Sequence, residues 1–326
     1  MKPRVFVTRL LPEGAMQVLN DNFDVQCNPH DRVLSRQELL AGVKDKDGIL
    51  PLLTDRIDAE LLEAAGPQLK IVANYAVGYN NIDVPACTSH KIPATNTPGV
   101  LTDTTADLAM ALLMAVARKI VPADAYARAG KYQGWAPLLF VGTDVHHKTL
   151  GIMGFGRIGF ALAKRAAGFD MKIIYHDAMR AGSELEKQVG AKFVDKDTLL
   201  AQSDFISLHV PLSPETHHLM SSPELAAMKS SAYLINTSRG EVVDEKALVK
   251  ALQQGQIAGA GLDVFEFEPA IEKELTVMDN VVILPHIASA SIETRTKMGL
   301  VAAENLTALL IRGQKPPNCL NPEVFS

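Results

Sequence analysis

Three side chains that suit proton transfer and anion binding each follow an apolar run of the sequence. They are Arg239, a carboxylate of the segment 263–268 (Asp263, Glu266 or Glu268) and His286. Because the apolar runs are typical of parallel strands, we expect the three groups at the carboxyl edge of one sheet, where α/β proteins bind ligands. A guanidinium binds the carboxylate and the neighbouring carbonyl of a 2-keto acid, and a protonated imidazole supplies a proton to the carbonyl oxygen. A carboxylate on the other ring nitrogen would keep that imidazole charged and oriented.

Each of these residues also has an ordinary structural interpretation. A single histidine after a strand is often only a hydrogen-bonded structural residue. Arg239 could form a surface ion pair, and Glu268 could be a turn residue before a proline. The three together favour a site over three unrelated roles, because they supply complementary parts of one reaction.

A glycine-rich motif indicates a second binding site, next to the three candidate catalytic residues in the same predicted sheet. Gly154, Gly156 and Gly159 follow an apolar run and open a helical pattern, and Asp177 ends the next apolar run. This order of strand, glycine turn, helix, strand and acid is typical of a dinucleotide site. The first glycine permits the tight turn, the second lets the backbone approach a pyrophosphate, and the third lets helix and strand pack closely. The carboxylate would accept hydrogen bonds from the adenosine ribose hydroxyls, and a purely structural glycine turn is the alternative.

Alternating apolar runs and helical patterns predict two doubly wound parallel sheets. We expect a flavodoxin-like substrate domain from residues 1–100 plus 289–326, and a Rossmann nucleotide domain from residues 101–288. Helices near 104–118 and 291–312 would carry the chain between the domains, and a substrate would lie in the crevice. One large sheet is the alternative. The predicted strands begin near residues 5, 23, 48 and 71, and then near 150, 173, 193, 205, 233, 258 and 281.

Composition excludes several other classes of protein. The net charge of −5 and the absence of a basic cluster argue against a nucleic-acid surface. The three cysteines lie far apart, and the adjacent histidine pairs at 146–147 and 217–218 lack a metal-binding spacing, so no metal site is expected. There is no signal-peptide pattern, and the longest apolar run is too short to span a bilayer. We therefore expect a cytoplasmic protein without membrane contacts.

The whole chain resembles the D-isomer-specific 2-hydroxyacid dehydrogenases, and most closely their bacterial glyoxylate/hydroxypyruvate reductases, including the branch called 2-ketogluconate reductase. The matching segments start at Ala76, Asn96 and Gly142 and include those around the three catalytic candidates. The resemblance implies that Arg239 binds substrate, that Glu268 rather than Glu266 pairs with the histidine, and that His286 is the general acid. The resemblance also implies that five further residues contact the cofactor, namely Arg157, Ile158, Val210, Thr237 and Asp263. The residues that would contact substrate are Val77 and Gly78, through their N–H groups, and Ser289.

The resemblance also implies a homodimer, built partly by the apolar helix that starts near residue 104. Trp135 and Phe140 lie in a segment that reaches toward an active site in relatives. The cofactor is expected to be NAD(H), because Asp177 would repel the 2′-phosphate of NADP(H). Arg180 lies three residues on and would partly offset that repulsion, so NADP(H) stays the alternative.

The substrate side chain is left open by the sequence. Glyoxylate and hydroxypyruvate are the expected 2-keto acids, and 2-ketogluconate is the alternative. A different class of function also stays open, because corepressor-like proteins that sense dinucleotides share this fold and keep the same three residues.

Overall fold

The computed structural model describes all residues from 1 to 326. The chain divides into two compact units, Met1–Leu101 with Ser289–Ser326 and Thr102–Ala288. None of the helices combines the length and the apolar character needed to cross a bilayer.

The first unit is a five-stranded parallel sheet with helices, in the strand order β2-β1-β3-β4-β5. This 2-1-3-4-5 order is that of flavodoxin-like folds. Its strands are β1 (Arg4–Val7), β2 (Asp24–Cys27), β3 (Gly48–Leu50), β4 (Ile71–Ala73) and β5 (Ala94–Thr95). Its helices are α1 (Glu13–Asn22), α2 (Arg36–Gly42), α3 (Ala59–Ala65), α4 (Val84–Ser89) and, from the end of the chain, α12 (Ile292–Leu310).

Side-chain caps and apolar faces explain these elements. Ser35 forms a capping box with Glu38 at the start of α2, and the Asp58 side chain accepts the Leu61 N–H at the start of α3. Helix α12 places Met298 and Leu306 in the core that also contains residues of β1 and β4. The last helix of the chain is therefore part of the first unit's core.

The second unit is a seven-stranded parallel sheet in the order β12-β11-β10-β9-β6-β7-β8. Its strands are β6 (Thr149–Met153), β7 (Lys172–His176), β8 (Lys192–Phe193), β9 (Phe205–Leu208), β10 (Tyr233–Asn236), β11 (Gly259–Leu262) and β12 (Val281–Ile283). Its helices are α5 (Thr102–Ala117), α6 (Ile120–Arg128), α7 (Arg157–Ala167), α8 (Ser183–Val189), α9 (Lys196–Gln202), α10 (Ser222–Ala227) and α11 (Glu245–Gln253). Counted from β6, the order is the Rossmann order with one added strand.

The strand order reverses between β6 and β9, and this is where such a sheet binds its ligand. The glycine fingerprint follows β6, so the fold places it at the reversal. Helix α5 packs closely over β11, where a side chain at Gly261 would lie 2.7 Å from Leu112 Cγ. Strands β9 to β12 then present their carboxyl ends, in sequence, on the same side as the glycine turn.

The predicted class of two parallel α/β sheets is confirmed. The predicted strand near residues 258–264 is shorter, Gly259–Leu262, and the helix predicted at 104–118 spans Thr102–Ala117. Strand β5 and helices α4, α6 and α8 to α11 were not predicted. Strand β5 has two residues, which is too few to show a periodicity, and α6 has no buried residue and so no apolar face turned to the core.

Candidate active site

His286 and Glu268 form a hydrogen-bonded pair at the carboxyl edge of the second sheet. His286 follows β12, Glu268 follows β11, and the imidazole Nδ1 lies 2.9 Å from Glu268 Oε2. The other carboxylate oxygen accepts the Phe265 N–H at 3.1 Å. Burial opposes ionisation of Glu268, but the hydrogen bond and charge of His286 outweigh it, so the pKa of Glu268 is lowered. The pair leaves the second imidazole nitrogen, Nε2, to act on a ligand.

Asp263 fixes the segment that carries His286. Its carboxylate is fully buried and accepts the backbone N–H groups of Ile287 at 2.7 Å and Ala288 at 2.8 Å. Its backbone carbonyl also accepts the His286 N–H at 2.9 Å. Burial raises the pKa of Asp263, although the hydrogen bonds donated by the Ile287 and Ala288 N–H groups favour the charged carboxylate. His286 itself has a positive φ of 54°, a conformation uncommon for a residue with a side chain. We infer that Asp263 holds His286 in this conformation.

Arg239 completes the polar cluster from the end of β10. Burial lowers the pKa of Arg239, while the charges of Glu268 and Glu241 act in the opposite direction. Its Nη1 donates to the neighbouring Ser238 carbonyl at 2.6 Å. The next residue, Gly240, has the Phe265 backbone so close that an added Cβ would lie 1.9 Å from it. The Arg239 and Glu268 segments are therefore packed backbone to backbone.

The glycine turn after β6 has the backbone that a phosphate site requires. Gly154 has φ of 90°, and a Cβ there would lie 2.7 Å from the His209 carbonyl carbon. A Cβ at Gly159 would lie 2.2 Å from the Gly154 oxygen, so helix α7 packs directly on the turn. A Cβ at Gly156, by contrast, would meet nothing within 4 Å. The second glycine of the fingerprint thus borders open space.

Helix α7 begins at Arg157 without a side-chain cap, so the first N–H groups, including that of Ile158, are free to bind an anion. Asp177 lies next to this turn, because its Oδ2 accepts the Phe155 N–H at 2.7 Å. Its Oδ1 accepts the Met179 N–H at 3.3 Å. An acid therefore stands beside a helix N-terminus, as dinucleotide binding requires.

The remaining cofactor candidates lie at the neighbouring strand ends. Val210 follows β9 and its backbone nitrogen would lie 2.8 Å from a Cβ at Gly154. Thr237 follows β10, and its buried Oγ1 has no hydrogen-bond partner in the chain. A buried hydroxyl without a partner is costly, and a polar group of a ligand would satisfy it. These residues fit a bound dinucleotide.

His209 also lies at this edge and was not predicted from the sequence. It directly follows β9, and its Nε2 lies 2.8 Å from Ser207 Oγ. Burial lowers the pKa of His209 to about 4, so this imidazole is neutral near pH 7. The rule that polar residues after parallel strands line a site would have found it.

In the first unit, the loop after β4 presents the backbone of Val77 and Gly78. Asn96 Nδ2 donates to the Val77 carbonyl at 2.7 Å, and Asn74 Nδ2 donates to the Gly78 carbonyl at 3.0 Å. The two N–H groups have no acceptor in the chain. The carbonyls are thus fixed while the donors stay available for an anion. Ser289 is partly buried and precedes α12, and its carbonyl accepts the Ser291 N–H at 3.0 Å.

Comparison with known proteins places this arrangement in a family. Residues 110–288 match the family described as D-isomer specific 2-hydroxyacid dehydrogenase, NAD binding domain. The chain belongs to the D-isomer-specific 2-hydroxyacid dehydrogenases. The expected family is thereby confirmed, and so is the expectation of an NAD(P)-dependent dehydrogenase.

Relatives of this dehydrogenase are similar over their whole length. A glyoxylate reductase from Thermococcus litoralis is 53% identical over 330 residues, which are 100% of this chain and 99% of the relative. The crystal structure of the TT0316 protein from Thermus thermophilus has a TM-score of 0.91 and 44% identity, and the match covers 97% and 99% of the two chains. An NADPH-dependent glyoxylate/hydroxypyruvate reductase from Sinorhizobium meliloti, in complex with NADP and malonate, has a TM-score of 0.86 and 32% identity, with 99% and 98% covered.

Proposed function

We propose that the chain reduces a small 2-keto acid, glyoxylate or hydroxypyruvate, to the 2-hydroxy acid with a reduced nicotinamide dinucleotide. The observation that carries this proposal is the His286–Glu268 pair, whose side chains lie 2.9 Å apart. The charge of Arg239 helps to lower the pKa of Glu268. All three residues follow strands of the sheet that also carries the glycine turn. The glyoxylate reductases that share about half of the sequence support the choice of substrate.

Each residue of the cluster then has one task. The bound nicotinamide supplies hydride to the carbonyl carbon of the substrate. Arg239 binds the carboxylate and carbonyl oxygens of the substrate, and its partly buried position strengthens that interaction. His286 holds a proton on Nε2 and transfers it to the carbonyl oxygen, while Glu268 stabilises the charged imidazole through Nδ1. Asp263 keeps His286 in place.

The first test is the rate of NADH and NADPH oxidation with four acids: glyoxylate, hydroxypyruvate, 2-ketogluconate and pyruvate. Rapid turnover of glyoxylate or hydroxypyruvate supports the proposal. A clear preference for 2-ketogluconate would instead identify that larger sugar acid as the substrate. NADH binding without turnover of any acid contradicts the proposal and favours a dinucleotide-sensing protein.

We further propose that NADH is preferred to NADPH. The Asp177 carboxylate would face a 2′-phosphate, and the nearby cation Arg180 is already engaged. Arg180 donates from Nε and Nη2 to the two oxygens of Glu186, at 2.9 and 2.8 Å, and Tyr175 Oη donates to the same carboxylate at 2.6 Å. Hydrogen bonds from Arg180 and Tyr175 lower the pKa of Glu186 to about 2, so the carboxylate stays charged. A clearly higher kcat/KM with NADPH than with NADH would contradict this preference.

In the first unit, we propose that the free N–H groups of Val77 and Gly78 bind the substrate carboxylate and that Ser289 contacts the substrate. A Gly78→Pro variant removes one donor and should raise KM for the keto acid with little change in cofactor binding. An unchanged KM in a folded Gly78→Pro protein would contradict this role.

We also propose that the protein forms a homodimer. The resemblance gives helix α5 part of the interface, and helix α6 with the segment that follows it offers a further apolar surface. This stretch leaves large apolar side chains in water, with Trp135 84% exposed and Leu138 85% exposed. Exposed apolar patches of this kind are typical of protein interfaces. Sedimentation equilibrium should give twice the chain mass, and a Leu138→Asp variant should shift the protein toward the monomer. A wild-type monomer at micromolar concentration would contradict the proposal.

A further inference from the structure

A second imidazole–carboxylate pair lies close to the first. His218 Nε2 is 2.7 Å from Glu266 Oε1, and Glu266 stands two residues before Glu268. Glu266 makes no contact with His286, so it has no direct part in the chemistry proposed above. Its position raises the question of what the second pair does for the first.

Glu266 ties its own segment to the start of helix α11. Its second oxygen, Oε2, accepts the Glu245 N–H at 3.1 Å, at the first residue of that helix. In return, the Glu266 N–H donates to Glu245 Oε1 at 2.7 Å. A carboxylate at a helix N-terminus is favoured by the helix dipole as well as by the hydrogen bond. The two glutamates therefore lock the backbone at 266 to a rigid element.

His218 connects the same point to the segment of Arg239. The His218 N–H donates to the Glu241 carbonyl at 2.8 Å, and the Met220 N–H donates to the Val242 carbonyl at 3.0 Å. Residues 240–242 form a short 3-10 helix directly after Arg239. His218 thus joins, by its backbone and its imidazole, the two segments that carry Arg239 and Glu268.

Several carboxylates lie close together around Glu266. Burial raises the pKa of Glu245, the backbone N–H groups of Glu266 and Glu272 lower it, and the carboxylates of the same two residues raise it. Glu241 contributes another negative charge on the segment that His218 contacts. The imidazole of His218 is hydrogen-bonded to Glu266 within this cluster of carboxylates.

We propose that Glu266, held by His218 and Glu245, is a positioning residue that fixes the segment 265–268 and so aligns Glu268 with His286. This inference rests on the proposed function, since alignment is needed only if the pair moves a proton. Small displacements of a catalytic group lower the rate strongly, because proton transfer requires hydrogen-bond distance.

The experiment compares Glu266→Ala, Glu266→Gln and His218→Asn with wild type, over a range of pH. Glu266→Ala should lower kcat about tenfold, with little change in NADH affinity, and should move the alkaline fall of kcat to lower pH. Glu266→Gln keeps an acceptor for the Glu245 N–H and a polar partner for His218, so it should restore most of the activity. His218→Asn should lie between wild type and Glu266→Ala.

The matched control is His217→Asn. His217 stacks on His218, with the ring centroids 4.0 Å apart, but its side chain is exposed and has no carboxylate partner. It should leave kcat and the pH profile unchanged. A fall in kcat equal to that of His218→Asn would overturn the proposal, because it would show a general disturbance of the loop.

A second measurement does not depend on turnover. In the cofactor-free protein, the NMR signal of the His286 Nδ1 proton should be protected from exchange in wild type and weakened in Glu266→Ala. An unchanged signal together with an unchanged pH profile overturns the proposal. If Glu266→Ala does not fold, His218→Asn decides the question by the same two measurements. Absence of wild-type turnover would instead count against the proposed function itself.

Discussion

Replacing Glu268 by glutamine removes the charge beside His286 while keeping a hydrogen-bonding side chain of similar shape. In the wild-type protein the carboxylate oxygen lies 2.9 Å from the imidazole nitrogen, so the centres of charge are about 4 Å apart. With an effective dielectric constant of about 20, two unit charges at this distance attract by about 4 kcal/mol. Both side chains are partly exposed, 31% for Glu268 and 25% for His286, so solvent screening leaves about 1–2 kcal/mol.

This free energy sets the expected loss of rate. Because about 1.4 kcal/mol corresponds to a factor of ten, Glu268→Gln should lower kcat for keto-acid reduction by about 5- to 30-fold. The assay is the initial rate of NADH oxidation between pH 5.5 and 9, with the exposed Glu274→Gln as the control. An unchanged kcat across this range would refute the assigned role of Glu268.

Three further predictions concern the nucleotide site and its surroundings. A Gly154→Ala variant should lose dinucleotide binding in calorimetry, because its Cβ would overlap the backbone at His209; binding at wild-type affinity would contradict the assigned turn. The pKa of His209 is lowered to about 4 in the folded protein. Between pH 6.5 and 4 the unfolded chain therefore binds more protons than the folded chain. As a result, the free energy of unfolding falls as the pH decreases over this range. Relative to His209→Asn, wild type should lose about 2–3 kcal/mol over that range in urea denaturation, and equal slopes would contradict the pKa. Glu186→Gln should free Arg180 and raise the affinity for NADP+ about tenfold relative to NAD+, whereas Glu184→Gln on the same helix should not.

Local sequence signals were sufficient for the fold and for the nucleotide turn. The fingerprint from Gly154 to Gly159 sits between an apolar run and a helical pattern, and each of these features depends on residues close in the chain. The parallel α/β class of both sheets follows from the same alternation. Short elements such as β5 were missed because two residues carry no period.

Pairings between distant residues could not be derived from sequence patterns. The choice of Glu268 over Glu266 came from resemblance to a family, because both carboxylates lie in one polar segment. The structure gives each its own imidazole, with Glu266 paired to His218 across 48 positions of the chain. The engagement of Arg180 by Glu186 is likewise a matter of side-chain geometry, and the sequence had left Arg180 open to a phosphate.

The central claim is that His286 supplies the proton when the keto acid is reduced, and a single-turnover measurement tests it most directly. Wild type and His286→Asn would be loaded with NADH and mixed with glyoxylate in a stopped-flow instrument, with NADH affinity measured separately by fluorescence. In His286→Asn, hydride transfer should slow about 10³-fold while NADH affinity changes by less than about twofold. Hydride transfer within tenfold of the wild-type rate, or loss of NADH binding together with the rate, would contradict it.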